Sequence, residues 1–144
     1  MKRGQSIYVQ LVDETGAPLP AENIMVQIEF FTNGNYRYGF EAGRTDRKGR
    51  LVVTYDDLDK RRAALSRENL MDYNTRLEEC DTTAKIVILS DDELRSRQQK
   101  ALQFYGTQPD WAKVWPSNAQ ITARSRTMDL SEQTVRVDIP AHIV

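Results

Sequence analysis

The length, composition and charge of this chain limit the kinds of protein it can be. Its 144 residues are 40% hydrophobic, which suffices to fill one core without disulfide bonds, so we expect a single domain over residues 1–144. Its 20 Lys and Arg residues nearly cancel its 21 Asp and Glu residues, and this balance argues against nucleic acid or an anionic membrane as the partner.

The sequence shows no targeting or membrane-spanning segment. The stretch at residues 1–5 is too short and too polar to be a secretory signal peptide. No apolar run approaches the ~20 residues that a membrane-spanning helix needs. We therefore expect a soluble protein without signal peptide or membrane insertion, either cytoplasmic or associated with a particle.

Four strands are predicted in the first third of the chain. Apolar and polar residues alternate over residues 6–13, 23–32 and 50–56, which is the pattern of a strand with one buried face. The tripeptide N-G-N at 33–35 is a strong hairpin signal, and residues 36–44 are the expected return strand.

The polar stretch before the fourth strand is interpreted as a corner and not as a site. Asp46 can accept hydrogen bonds from backbone N–H groups ahead of it, and Gly49 can take the left-handed conformation that closes a type I turn with a bulge. Because the charge of the chain is balanced, the basic residues around this turn are interpreted as a solvated rim, with no nucleic-acid partner: Arg44, Arg47, Lys48 and Arg50.

The middle of the chain changes to a helical period. Residues 56–73 place carboxylates before cations, which suits the helix dipole and predicts a helix from about Asp57. Its apolar face is thin, so the helix should be mostly exposed or broken near Ser66. A polar connector, 74–83, leads to residues 84–90, whose apolar side chains on both faces predict a strand covered on both sides.

A second helix and two further strands are predicted after that strand. Ser90 and Glu93 have the spacing of a capping box, and Gly106 marks the end of the helix. Residues 119–126 and 133–140 read as strands. Seven strands with helical insertions at about 56–83 and 91–118 predict a mainly β fold, an antiparallel seven-stranded β-sandwich.

Turn motifs in the first third of the chain resemble those of a known fold family. The segments V-D-E-T-G-A-P-L-P, V-Q-I-E-F and G-R-T-D-R-K-G-R-L-V-V follow one another within residues 7–55. They are similar to the strands and turns of the prealbumin-like sandwich that transthyretin-like and carboxypeptidase-regulatory-like domains share. The resemblance implies an accessory, binding or assembly module, of the kind often appended to larger machines such as tail-like injection particles.

Side chains able to catalyse a reaction are scarce. His142 is the only histidine, a Ser-His-Asp triad would need it, and no G-x-S-x-G motif is present. Enzymes of the prealbumin-like fold, the intradiol dioxygenases and hydroxyisourate hydrolases, depend on several histidines or a C-terminal tetrad that this sequence does not match. Cys80 lies between carboxylates, which disfavour its thiolate, so it is interpreted as a structural side chain.

Two groups of acidic residues are better explained by helix capping than by calcium. Neither group has the alternating D-x-D-x-D-G spacing that wraps a chain around the ion, and both stand where a helix is predicted to begin. The groups are Asp56, Asp57 and Asp59, and Asp91, Asp92 and Glu93. We therefore expect no metal, no cofactor and no enzymatic activity.

Two groups of aromatic residues can each be interpreted in two ways. Trp111 and Trp115 are four residues apart and would share one face of a short helical turn near Tyr105. They either close one end of the core or present a platform to a sugar ring or a protein. A second strip, on the third strand, has the same two interpretations: Tyr36, Tyr38 and Phe40.

Two functions of different classes fit these features. The first is a non-catalytic structural or adaptor protein that acts through protein–protein contacts, with a protein partner or a second copy, in a larger assembly such as a tail-like or secretion particle. The alternative is a carbohydrate- or ligand-binding module that uses exposed Trp and Tyr side chains. Exposure of the two tryptophans is the observation that separates them.

Overall fold

The computed structural model describes residues 1–68, 71–88 and 124–141, without the side chains of Met71 and Arg124. This part of the chain is mainly β, with seven strands in two sheets, one α-helix and two 3-10 turns. The strands are β1 Ser6–Val12, β2 Met25–Thr32, β3 Asn35–Arg44, β4 Arg50–Thr54, β5 Thr83–Ile88, β6 Arg124–Asp129 and β7 Thr134–Pro140. The helix is α1 Tyr55–Arg67, and the 3-10 turns are Met71–Asn74 and Leu77–Glu79.

The two sheets face each other across one hydrophobic core. One sheet has the strand order β4-β1-β7 and the other β3-β2-β5-β6. Alternate residues of β1, such as Ile7 and Leu11, and of β2, such as Ile28 and Phe30, are fully buried in the same cluster of side chains. The predicted alternation of buried and outward residues is therefore confirmed, and the arrangement is sandwich-like.

The expectation that all strands are antiparallel is wrong for one pair. β1 and β7 run parallel, with Ser6 opposite Thr134 at one end and Val12 opposite Pro140 at the other. The Gln5 side-chain amide donates to the carbonyl oxygens of Leu130 and Glu132 in the turn before β7. These bonds hold the start of β1 beside the start of β7, so both strands leave from the same end.

The helix begins earlier than the sequence pattern predicts. Residues 50–56 were expected to be a strand, but β4 ends at Thr54 and α1 begins at Tyr55. The Thr54 hydroxyl caps the helix by accepting the backbone N–H of Asp57 at 3.2 Å. Only Tyr55 and Leu58 of this helix are buried, which agrees with a thin apolar face, and the helix ends at Arg67, beside the break expected near Ser66.

The later strands agree with the sequence where they are described. β5 was expected to be covered on both faces, and this holds only at its end: Val87 is buried on the outer side, whereas Thr83 and Lys85 on that side are exposed. β6 overlaps the strand expected at 119–126 and continues to Asp129, while residues 119–123 lie outside the described ranges. The second predicted insertion, 91–118, also lies outside them, as does His142.

The corner between β3 and β4 has the predicted hydrogen bonds. The Asp46 carboxylate accepts the backbone N–H groups of Lys48 at 2.8 Å and Arg50 at 3.0 Å. Gly49 has a φ of +73°, and its N–H donates to the Asp46 carbonyl oxygen at 3.0 Å. A similar carboxylate turn forms at Asp13, which accepts the Thr15 hydroxyl at 2.6 Å.

These two carboxylates predict a loss of stability in acid. The Thr15 hydroxyl lowers the pKa of Asp13, and the backbone N–H of Arg50 lowers the pKa of Asp46. A pKa that is lower in the folded state than the unfolded value of about 3.9 stabilises the fold above that value, and the contribution is lost as pH falls through the folded pKa. The free energy of unfolding should therefore drop below pH ~4.

The matched variant for this prediction is the double substitution Asp13→Asn and Asp46→Asn. We expect urea unfolding at pH 7 and pH 3 to show a smaller acid-induced loss in the double variant than in the unsubstituted protein, because asparagine does not titrate. An equal loss in both proteins would assign the acid sensitivity to other groups.

Candidate contact surface

The structure separates the aromatic residues that the sequence singled out. Trp111, Trp115 and Tyr105 lie outside the described residues. Tyr36 is 58% exposed, whereas Tyr38 is buried with 2% of its surface accessible. Tyr38 is therefore part of the core, as one of the two interpretations expected, whereas Tyr36 is exposed.

Tyr38 is held inside by packing and by its hydroxyl group. Its ring stacks on Tyr73 at a centroid distance of 5.1 Å and meets Phe30 edge-on at 5.8 Å. Its hydroxyl donates to the Thr75 carbonyl oxygen at 2.7 Å and lies 3.4 Å from the Cys80 sulfur. Burial raises the pKa of Tyr38 well above its usual value, so this side chain is a neutral part of the core.

A bulge explains why Tyr36 points the other way. The pairing between β2 and β3 shifts by one residue between Phe30 and Phe31, so Phe30 lies opposite Tyr38 while Phe31 lies opposite Tyr36. A one-residue shift sends a side chain to the other face of the sheet. Tyr36 therefore packs edge-on against Phe31 at 6.2 Å on the outer side.

Cys80 behaves as the structural side chain that the sequence predicts. It is 8% exposed, and desolvation by burial raises the pKa of its thiol. Its sulfur lies 3.5 Å from the Arg76 carbonyl oxygen. A thiol kept protonated in this way is a poor nucleophile.

The outward side chains of the three-stranded sheet form one continuous surface, which we name the outer face. β1 lies in the middle, and its register with β4 and β7 places outward residues in three rows of three. In the order β4, β1, β7, the rows are Arg50, Gln10 and Asp138, then Val52, Tyr8 and Arg136, and then Thr54, Ser6 and Thr134.

The central row concentrates exposed apolar surface. Among the described residues, the large hydrophobic side chains that are exposed are Tyr8 at 39%, Val52 at 52% and Tyr36. Tyr8 and Val52 are direct cross-strand neighbours, so they form one patch. The Arg136 guanidinium lies over the Tyr8 ring, with its carbon 5.4 Å from the ring centroid, which is within the range of a cation–π contact.

The neighbouring row carries charges of both signs. Arg50 and Asp138 stand on either side of Gln10 and are exposed. Together with Asp46, these residues line a shallow groove of about 550 Å³ that runs past Tyr8. No ion pair joins Arg50, Arg136 or Asp138 to another residue of the described ranges.

The sequence carried part of the signal for this surface. Tyr8 and Val52 occupy outward positions of alternating strands, where polar residues are the rule, and both are apolar. The contribution of Arg136 depends on the parallel pairing of β1 with β7, which no local sequence pattern indicates. The outer face is thus a site that sequence reasoning missed.

Within residues 1–68, 71–88 and 124–141, no group of three or more His, Cys, Asp and Glu side chains is placed to hold a metal ion. In the same part of the chain, no helix combines the length and the apolar character needed to cross a membrane. Comparisons of the chain with protein-family models, with curated proteins and with solved structures find no match.

Proposed function

We propose that the protein works through protein–protein contacts made by the outer face, as a non-catalytic structural or adaptor component of a larger assembly. The observation that carries this proposal is the row formed by Val52, Tyr8 and Arg136. Tyr and Arg are enriched among the residues that dominate binding energy at interfaces, and both are exposed in this row.

The surroundings of that row support the same proposal. A central apolar patch within polar and charged neighbours has the composition of a protein interface, which combines a desolvated core with a polar rim. Here Tyr8 and Val52 would form the core, with Arg50 and Asp138 at one edge and Thr54 and Thr134 at the other. Because the face is part of a rigid sheet, it needs little ordering on binding.

The proposal includes the finer features expected from the sequence. The resemblance of residues 7–55 to transthyretin-like and carboxypeptidase-regulatory-like domains favours an accessory or assembly module on this architecture. We include in the proposal the second helical insertion at about 91–118 and a location in a particle such as a tail-like or secretion assembly. The insertion follows from the helical pattern of those residues, and the particle location follows from the resemblance.

Photo-cross-linking in the cells that make the protein tests the proposed contact. A photoreactive amino acid replaces Val52 on the outer face, and the same photoreactive amino acid replaces Lys60 on the exposed side of α1 as the control. We expect protein cross-links from position 52 and several-fold fewer from position 60. A third probe at Tyr36 samples the outer side of the other sheet.

The position that gives cross-links determines whether the outer face is the contact surface. Cross-links at position 52, whether to a different protein or to a second copy of this chain, support the outer face as the contact surface. Equal yields at positions 52 and 60, or cross-links from position 36 without any from position 52, would contradict it.

A further inference from the structure

We propose that the outer face binds a second copy of this chain in a two-fold symmetric dimer whose axis lies between the two facing sheets, parallel to β1 and directly over it. The inference rests on the proposed function, because it identifies the partner of that same surface. The facing copy presents its strands so that β4 of one copy lies over β7 of the other, while β1 faces itself. Such an interface is isologous, so each contact between two different positions occurs twice.

The charged row is complementary to itself in this arrangement. It reads Arg50, Gln10, Asp138 from β4 to β7, and the facing copy presents the same row in the reverse order. Arg50 of one copy then faces Asp138 of the other, and the symmetry repeats the pair. None of the ion pairs in the described part of the chain occupies these two side chains, so both are available for the contact.

The central row places its aromatic residue on the axis. Tyr8 of one copy faces Tyr8 of the other, which allows the offset ring stacking that aromatic pairs prefer. Val52 faces the aliphatic stem of Arg136 in the other copy, while that guanidinium lies over its own tyrosine ring at 5.4 Å. The remaining row brings together Thr54 and Thr134, which are small enough to let the two sheets approach.

The balance of charge favours a second copy over a strongly charged partner. The outer face and its groove hold two cations, Arg50 and Arg136, and two anions, Asp46 and Asp138. A surface with equal numbers of both signs gains no net attraction to a basic or an acidic protein, whereas it can match its own reversed pattern. Charge complementarity therefore identifies the partner.

The size of the face predicts a weak dimer. Three strands of five residues cover roughly 14 by 17 Å of sheet at ordinary strand spacings. This is well below the ~800 Å² per partner of a standard stable interface. We expect a dissociation constant between roughly 10 μM and 1 mM, typical of a contact that is strengthened by repetition in an assembly.

Sedimentation velocity of the purified chain with charge-reversed variants tests the proposal. Arg50→Asp places like charges against each other twice in the dimer, and so does Asp138→Arg. Each single variant should raise the dimer dissociation constant at least about tenfold. Arg61→Asp, at an exposed position of α1 beside residues of β2 and β3, is the matched control and should leave the constant unchanged.

A mixture of the two single variants tests whether Arg50 of one copy faces Asp138 of the other. In a mixed dimer, the aspartate introduced by Arg50→Asp in one chain faces the arginine introduced by Asp138→Arg in the other, and the second pair is the original Arg50 with Asp138. An equimolar mixture should therefore recover dimer formation that neither variant shows alone. Urea unfolding of each variant checks that both chains are folded, so loss of the dimer is assigned to the interface.

The results that would overturn the dimer are specific. A chain that stays monomeric at ~1 mM, single variants that dimerise as well as the unsubstituted chain, or a mixture that recovers nothing would each contradict it. Cross-links from position 52 to a different protein, found together with a monomeric chain, would leave the proposed function standing and reject only the second copy as partner.

Discussion

Replacing Gly49 by alanine is expected to lower the free energy of unfolding by about 3 kcal/mol or more. An ideally placed Cβ at Gly49 would lie 2.0 Å from the Leu19 carbonyl oxygen, which is backbone and not a movable side chain. The φ of +73° adds the cost of a left-handed conformation for a residue with a side chain. A hydrogen bond from the Leu11 N–H to the Gly49 carbonyl oxygen, at 2.9 Å, also holds the backbone of the turn in place.

Gly16→Ala is the matched control for this substitution. Gly16 also has a positive φ, +85°, but a Cβ there would meet no atom within 4 Å. It should therefore lose only the conformational cost, roughly 1 kcal/mol. Urea unfolding of both variants separates the two effects, and equal losses at the two glycines would show that the close approach to Leu19 is not a constraint on the fold.

The second large effect is expected for Phe30→Ala, with a loss of about 3 to 5 kcal/mol in the free energy of unfolding. Phe30 is fully buried on the inner side of β2. Its ring contacts Tyr38 at 5.8 Å and Phe40 at 6.0 Å. Removing the ring leaves a cavity between the two sheets. Tyr38 and Phe40 cannot move to fill it, because both also pack against Tyr73.

The next residue along the strand supplies the control for this prediction. Phe31 is only partly buried on the outer side, where it packs against Tyr36 and beneath Lys85. Phe31→Ala should cost less than half as much as Phe30→Ala in thermal or urea unfolding, because less apolar area leaves water at that site. A larger loss at Phe31 would contradict the assignment of inner and outer faces in β2.

Local patterns in the sequence predict much of this fold. Alternation identifies β1 and β2 because a half-buried strand repeats its environment every two residues. The corner at Asp46 and Gly49 is also predictable, since its hydrogen bonds join residues no more than four apart. In each case, the information that determines the structure lies within a few neighbouring residues.

Features set by distant residues are not visible in that way. The parallel pairing of β1 with β7 joins residues more than 120 positions apart, as do the bonds from Gln5 to the carbonyl groups of Leu130 and Glu132. The bulge beside Phe31 moves the Tyr36 side chain to the outer face of the sheet, although the apolar alternation in the sequence of β3 continues without interruption. β4 ends at Thr54, whose hydroxyl caps the following helix. Threonine is common both in strands and at helix N-caps, so its presence does not reveal where the strand ends.

The same distinction holds for the outer face. Tyr8 and Val52 can be recognised from sequence as apolar residues at outward positions, but their contact with Arg136 requires the long-range pairing. The aromatic strip on β3 was recognisable as a strip, whereas its division into a buried Tyr38 and an exposed Tyr36 follows from the bulge. A candidate contact surface is therefore harder to predict than the strands that carry it.

The yield of the cross-link from position 52, measured in two arginine variants, tests the central claim most directly. Arg136 lies across β1 from Val52, so Arg136→Ala weakens a shared contact surface without altering the probe. The contact model predicts a several-fold lower yield in Arg136→Ala and an unchanged yield in Arg61→Ala on α1. Equal yields in the two variants would contradict the outer face as the surface through which this protein works.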